Sequence, residues 1–144
     1  MPGGDATTDE LVSAFRSGVL RLARRLRFEQ GSDLTLTQLM ALGAIARSDD
    51  GLTIGELAAN EHVKPPSMTR TVNSLEALGL VTRGAVEGDG RRVLVRLTAA
   101  GDTTVQTARQ RRDSWLASRL HQLSADERQL LHDVVPLIEQ IIRL

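Results

Sequence analysis

Residues 65–98 read PPSMTRTVNSLEALGLVTRGAVEGDGRRVLVRLT, and their hydrophobic rhythm changes partway along. Met68, Val72, Leu75 and Leu78 recur at three- and four-residue intervals, the spacing of one buried helix face, and Gly79 is a natural terminator. Pro65 and Pro66 suit a turn and a helix's first turn, where a missing N–H costs nothing. Two short β-like stretches follow, Val81 to Ala85 and Val93 to Leu97. The segment joining them, Glu87-Gly88-Asp89-Gly90-Arg91, carries the glycines and aspartate of a hairpin turn. Thr98 then caps a long polar-rich helix that reaches about Leu120.

Working outward, helix starts are marked by Ser or Thr with Glu or Gln three residues later, a pairing that satisfies two backbone donors at a helix N-terminus. Thr7 with Glu10 predicts a helix to about Glu29, with Leu11, Phe15, Val19, Leu22 and Leu26 on one buried face. Thr35 with Gln38 opens a helix ending near Ser48, Thr53 with Glu56 a short third one, and Ser124 with Glu127 the last. The order is helix, helix, short helix, turn, helix, hairpin, helix, helix. Residues 35–98 have the layout of a winged helix-turn-helix, and residues 1–34 and 99–144 supply a discontinuous helical lobe. The expected fold class is mostly α.

Composition agrees. Of 144 residues, 41% are hydrophobic but only 2% aromatic, so Leu, Val, Ile, Ala and Met must fill the core, as in packed helices. The absence of cysteine removes disulfides and thiolate ligands and favours a cytoplasmic chain. No apolar run approaches the roughly 20 residues needed to span a bilayer. Met1 to Asp9 read as a small polar lead-in without signal-peptide character. The formal net charge is zero, yet between His62 and Thr98 the bases Lys64, Arg70, Arg83, Arg91, Arg92 and Arg96 outnumber Glu76, Glu87 and Asp89. His62, His121 and His132 lack ligand spacing, so no metal site is expected. No nucleophile, base and orienting group converge, and no Gly-rich phosphate loop follows a strand, so no enzyme site can be read.

The chemistry concentrates on the helix after Pro65. A step of about 100° per residue puts Pro66, Arg70, Asn73, Ser74 and Ala77 opposite the core face, with Ser67 and Thr69 flanking. That outer face is nearly free of acids. Arg makes paired bonds to guanine, Asn to adenine, and Ser or Thr to bases or phosphates, so its composition suits a DNA major groove. Arg91 and Arg92 lie just past the hairpin tip, where a guanidinium reaches a minor groove or phosphates, and Asp89 is placed to hold Arg91. Thr53 and Lys64 are the expected phosphate-backbone contacts.

Asp89-Gly90-Arg91, five further residues, then Leu97-Thr98 resembles the D-x-R-x-x-x-x-x-L-T wing signature of the MarR family of winged helix-turn-helix regulators. Ser67-Met68-Thr69-Arg70 and Leu75-Glu76-Ala77-Leu78-Gly79-Leu80-Val81 are similar to that family's recognition helix and its exit. The resemblance implies a homodimer built from both chain ends, wings over the minor groove, repression at a palindromic operator, and often a small-molecule effector. Arg92 departs from the family pattern, which commonly has a small residue there.

The last helix argues for pairing independently. Leu130, Val134, Leu137, Ile138 and Ile141 make one stripe, and Leu131, Val135 and Ile142 another. A second apolar stripe faces water unless a partner covers it. Leu131, Val135, Ile138, Ile141 and Ile142 are therefore expected dimerisation residues, joined by Leu11 and Phe15 of the first helix as the resemblance implies, and Pro136 is expected to kink or interrupt the last helix. The run Arg16, Arg21, Arg24, Arg25 and Arg27 reads as a solvated face, with phosphate contact or an acidic-ligand clamp as alternatives. A winged-helix module that binds protein and not DNA is the rival reading.

Overall fold

The computed structural model describes residues 5–143. Its elements are α1 (Asp5–Glu29), α2 (Leu36–Ala46), α3 (Ile54–Asn60), α4 (Pro65–Ala77), β1 (Val81–Val86), β2 (Asp89–Leu97), α5 (Ala99–Leu120) and α6 (Ala125–Arg143). Six helices and one antiparallel hairpin make the fold mostly α, with the order the sequence predicts. No described helix is long and apolar enough to cross a membrane. The chain forms two compact units, one of residues 30–110 and one of the residues up to 29 with those from 111 onward.

The unit of residues 30–110 closes around Leu42, Leu57, Met68, Val72, Leu75 and Val95, all fully buried. Its helices start where the caps place them. Thr35 accepts from the Gln38 N–H while Gln38 bonds back to the Thr35 N–H at 2.8 Å, and Thr53 and Glu56 repeat the arrangement for α3. The end of α4 is equally determined. Gly79, at φ 73°, donates to Glu76 O and Leu80 to Leu75 O, a paired closure that needs a left-handed residue at its centre. Leu78, expected on the buried face, is instead the cap residue and is exposed.

Beyond that turn β1 pairs with β2. Leu52 adds an isolated bridge to Val95 through bonds of 3.1 and 2.7 Å, fastening the segment before α3 to the sheet. Thr98 joins helix end, sheet and α5: its hydroxyl donates to Gly79 O at 2.6 Å, and it accepts from the Gly101 N–H at 3.1 Å. A Cβ on Gly101 would stand 1.9 Å from Leu80 O, so only glycine permits this approach of α5 to the turn.

The other unit contains α1, the later part of α5, and α6. Of the expected polar lead-in, Met1 to Gly4 lie outside the described residues, and Asp5 to Asp9 are already helical. Thr7 is therefore inside α1 and not at its start. A capping pattern works only where the preceding backbone leaves the helix, which these residues do not do. The face expected to be buried is open: Leu11, Phe15, Val19 and Leu22 are exposed, and only Leu26 is half-buried. The other described helices leave that face uncovered. Ser124 and Glu127 cap α6 reciprocally, and α6 runs through Pro136 without interruption. Arg25 pairs with Glu29 at 2.6 Å and lies over the rings of Phe28 and Trp115, at 5.3 and 5.6 Å. It is thus committed within the unit.

Candidate nucleic-acid interface

The α3–turn–α4 segment and the hairpin define one surface of the unit spanning residues 30–110. In α4, Met68, Val72 and Leu75 are buried, which turns Pro66, Arg70, Asn73, Ser74 and Ala77 outward and exposed, with Ser67 and Thr69 half-buried beside them. Lys64 is the exposed N-cap residue, and its side chain makes no capping bond. Thr53 is partly buried, and its hydroxyl accepts from the Glu56 N–H at 3.1 Å. That cap takes up one of its lone pairs.

Several of these side chains have partners that sequence spacing does not announce. Gln38 Nε2 donates to Ser74 Oγ at 2.7 Å, and the Thr69 hydroxyl donates to Pro65 O at 3.0 Å. Arg83 of β1 donates through Nη2 to Asn73 Oδ1. Its Nε lies 2.8 Å from Glu76 Oε2 but off the hydrogen-bond direction, so that contact is an ion pair without a directed bond. Arg70 reaches no acid among the described residues. Its Nη2 sits 3.5 Å from Ser67 Oγ, at the limit of a hydrogen bond.

The hairpin differs from the sequence reading in its loop. Only Glu87 and Gly88 turn, with Gly88 at φ 87°, and β2 already begins at Asp89. Ala85 pairs with Val93 and Val86 with Asp89, so Gly90, Arg91 and Arg92 bulge out of register. Asp89 Oδ1 accepts from the Arg91 backbone N–H at 3.2 Å, holding the bulge's backbone and not the guanidinium. Arg91 is exposed, with no ion-pair partner for its guanidinium among the described residues. Arg92 instead pairs with Glu56 Oε1 at 2.7 Å.

Glu56 therefore works with both oxygens, capping α3 through Oε2 and holding Arg92 through Oε1. Its carboxyl is held below the ordinary 4.5, first by the Thr53 backbone N–H, against the opposing effect of desolvation, and further by the Thr53 hydroxyl and Arg92. An open concavity of about 540 Å³ lies between the start of α3 and the hairpin, lined by Thr53, Arg83, Asp89, Arg91 and Arg92 among others. Sequence reasoning missed Gln38, Arg83 and Glu56 at this surface. The available signal for Glu56 was that a capping carboxylate has a second oxygen to satisfy.

Comparison with known proteins finds relatives over most of the chain. Residues 32–92 match a family model described as MarR family. An HTH-type transcriptional regulator of Mycobacterium leprae is 42% identical over 133 residues, covering 92% of each chain. A MarR family protein from Bacillus stearothermophilus superposes with a TM-score of 0.85 at 25% identity, covering 98% of this chain and 99% of that one. A Staphylococcus aureus MepR mutant bound to an oligodeoxyribonucleotide has a TM-score of 0.67 and 23% identity, covering 90% and 96%, and supports the fold. With helix-turn-helix, wing and these relatives in agreement, the chain belongs to the MarR family of DNA-binding, winged helix-turn-helix transcriptional regulators.

Proposed function

We propose that the protein is a homodimeric repressor that recognises a near-palindromic operator, inserting α4 in the major groove and the wing along the minor groove or its phosphates. The observation that carries this reading is the pairing of an outward α4 face bearing Arg70 with a bulged wing bearing Arg91, whose guanidinium has no ion-pair partner among the described residues. Arg70 is free to take a guanine edge, and Arg91 to displace counterions. Pro66, Ser67, Thr69, Asn73 and Ser74 complete the groove face, and Lys64 and Thr53 flank it as backbone contacts. Occupying promoter DNA suffices for repression.

The dimer is supported by apolar surface that the chain leaves open. Leu11, Phe15, Leu131, Val135, Ile141 and Ile142 are exposed, while Ile138 is half-buried. A second copy is the occupant that matches a two-fold operator. Arg92 takes a different role from a phosphate contact in this reading, because Glu56 already holds it.

Selection of bound sequences from random double-stranded DNA, followed by titration at several salt concentrations, tests the proposal. The wild type should yield inverted half-sites about one helical turn, roughly 34 Å, apart. Arg70→Ala should cost about 1–3 kcal/mol on the selected site and less on random DNA. Arg91→Ala should shallow the dependence of log affinity on log salt. Recovery of no sequence, with the fold intact, would favour a protein-binding module.

A further inference from the structure

We propose that Arg83 is a specificity-positioning residue, which determines the edge of the Asn73 amide that α4 presents to DNA. The inference rests on the DNA-binding reading of α4. Asn73 is exposed, and an unrestrained asparagine amide turns over at little cost because its oxygen and nitrogen are nearly isosteric. One orientation offers an acceptor to the groove and the other a pair of donors. A side chain free to do either discriminates poorly among base edges.

Arg83 removes that freedom. Guanidinium has five donors and no acceptor, so the amide atom facing it must be the oxygen, and Arg83 Nη2 indeed donates to Asn73 Oδ1. The amide nitrogen is thereby directed away from Arg83, leaving its two hydrogens for another acceptor. The arginine is itself held in place. Glu76, one helical turn beyond Asn73 on α4, lies 2.8 Å from Arg83 Nε, and the Arg83 side chain is only 30% exposed. The turn at Gly79 sends β1 back beside α4, and register with Val95 places Arg83 within reach of both residues. This geometry exists before any DNA is bound, so the orientation need not be ordered on binding.

The experiment compares the wild type with Asn73→Ala, Arg83→Met, Arg83→Lys and the Asn73→Ala/Arg83→Met double variant, on operators substituted one base pair at a time. Thermal melting verifies that each is folded, and Arg83→Lys keeps a charged donor should Arg83→Met fail to fold. Asn73→Ala should flatten preference at one position in each half-site by at least about five-fold. Arg83→Met should flatten the same position and add nothing in the Asn73→Ala background. Arg83→Lys should retain part of the preference, and Arg83→Met should leave the salt slope unchanged. The inference is overturned if Arg83→Met keeps the wild-type preference, flattens all positions alike, or still acts when Asn73 is absent. A salt slope lowered by about one would also overturn it, by making Arg83 a phosphate contact. A wild type that prefers no sequence would overturn the DNA reading as well, which separates the two failures.

Discussion

The unit of residues 30–110 and helix α6 solve the same problem in opposite ways. In the former, Leu42, Leu57, Met68, Val72, Leu75 and Val95 are sealed by other residues of that unit. In α6 no residue is buried, and Ile142 is 72% exposed, although the helix is well capped at Ser124 and carries two apolar stripes. Local helix signals are thus equally good in both places, and only packing partners differ. Stability should accordingly be an intramolecular property of the first unit and should depend on protein concentration where α1 and α6 are concerned.

The sharpest way to break the comparison is to make a hole on one side and place a charge on the other. Leu57→Ala should cost about 2–5 kcal/mol, since Leu57 is fully buried and its neighbours collapse only partly around the cavity. Denaturant melts should show that loss equally at all protein concentrations. Ile142→Asp should leave the core of the first unit intact. It should abolish the rise of melting temperature with concentration and halve the mass in sedimentation, taking most operator affinity with it. A wild type that sediments as a monomer at micromolar concentration would remove the difference between the two regions.

What the sequence made legible follows the range of the interactions involved. Caps at Thr35, Thr53 and Ser124 are read within four residues, and the structure has all three. The same pattern at Thr7 misled because nothing in it reports whether Asp5 and Ala6 are helical too. Turn residues spread over Glu87 to Arg91 suggested a long loop, whereas one left-handed Gly88 suffices and Asp89 is free to start β2. The links from Arg92 to Glu56 and from Gln38 to Ser74 each span 36 residues. No periodicity encodes such pairs, so which polar side chains are already engaged became visible only in the fold.

A smaller effect tests the wing's attachment. Glu56 is stabilised as the ion, so its contribution is complete above the ordinary 4.5 and is lost as pH falls through its lower folded value. Glu56→Gln keeps a capping acceptor but removes the charge facing Arg92. The pair is about half-exposed, so at neutral pH the variant should lose less than about 1 kcal/mol, and the difference from wild type should vanish in acid. Melts of both proteins across that range provide the measurement. A difference that persists in acid would mean that charge is not the operative property.

An effect of similar size concerns two helix ends that use one motif with different residues. His62, at φ 53°, closes α3 as Gly79 closes α4: His62 donates to Ala59 O and Val63 to Ala58 O. An L side chain in this left-handed region costs about 1–2 kcal/mol, and glycine avoids it at an entropic cost of about 0.5–1 kcal/mol in the unfolded chain. The two nearly offset, so His62→Gly should stabilise the unit by only a few tenths of a kcal/mol up to about 1 kcal/mol. Because this turn belongs to the self-sealed unit, the gain should be the same at every protein concentration. A raised denaturation midpoint with an unchanged slope is the expected result. A lowered midpoint would show that the exposed imidazole makes a contribution that outweighs its backbone strain.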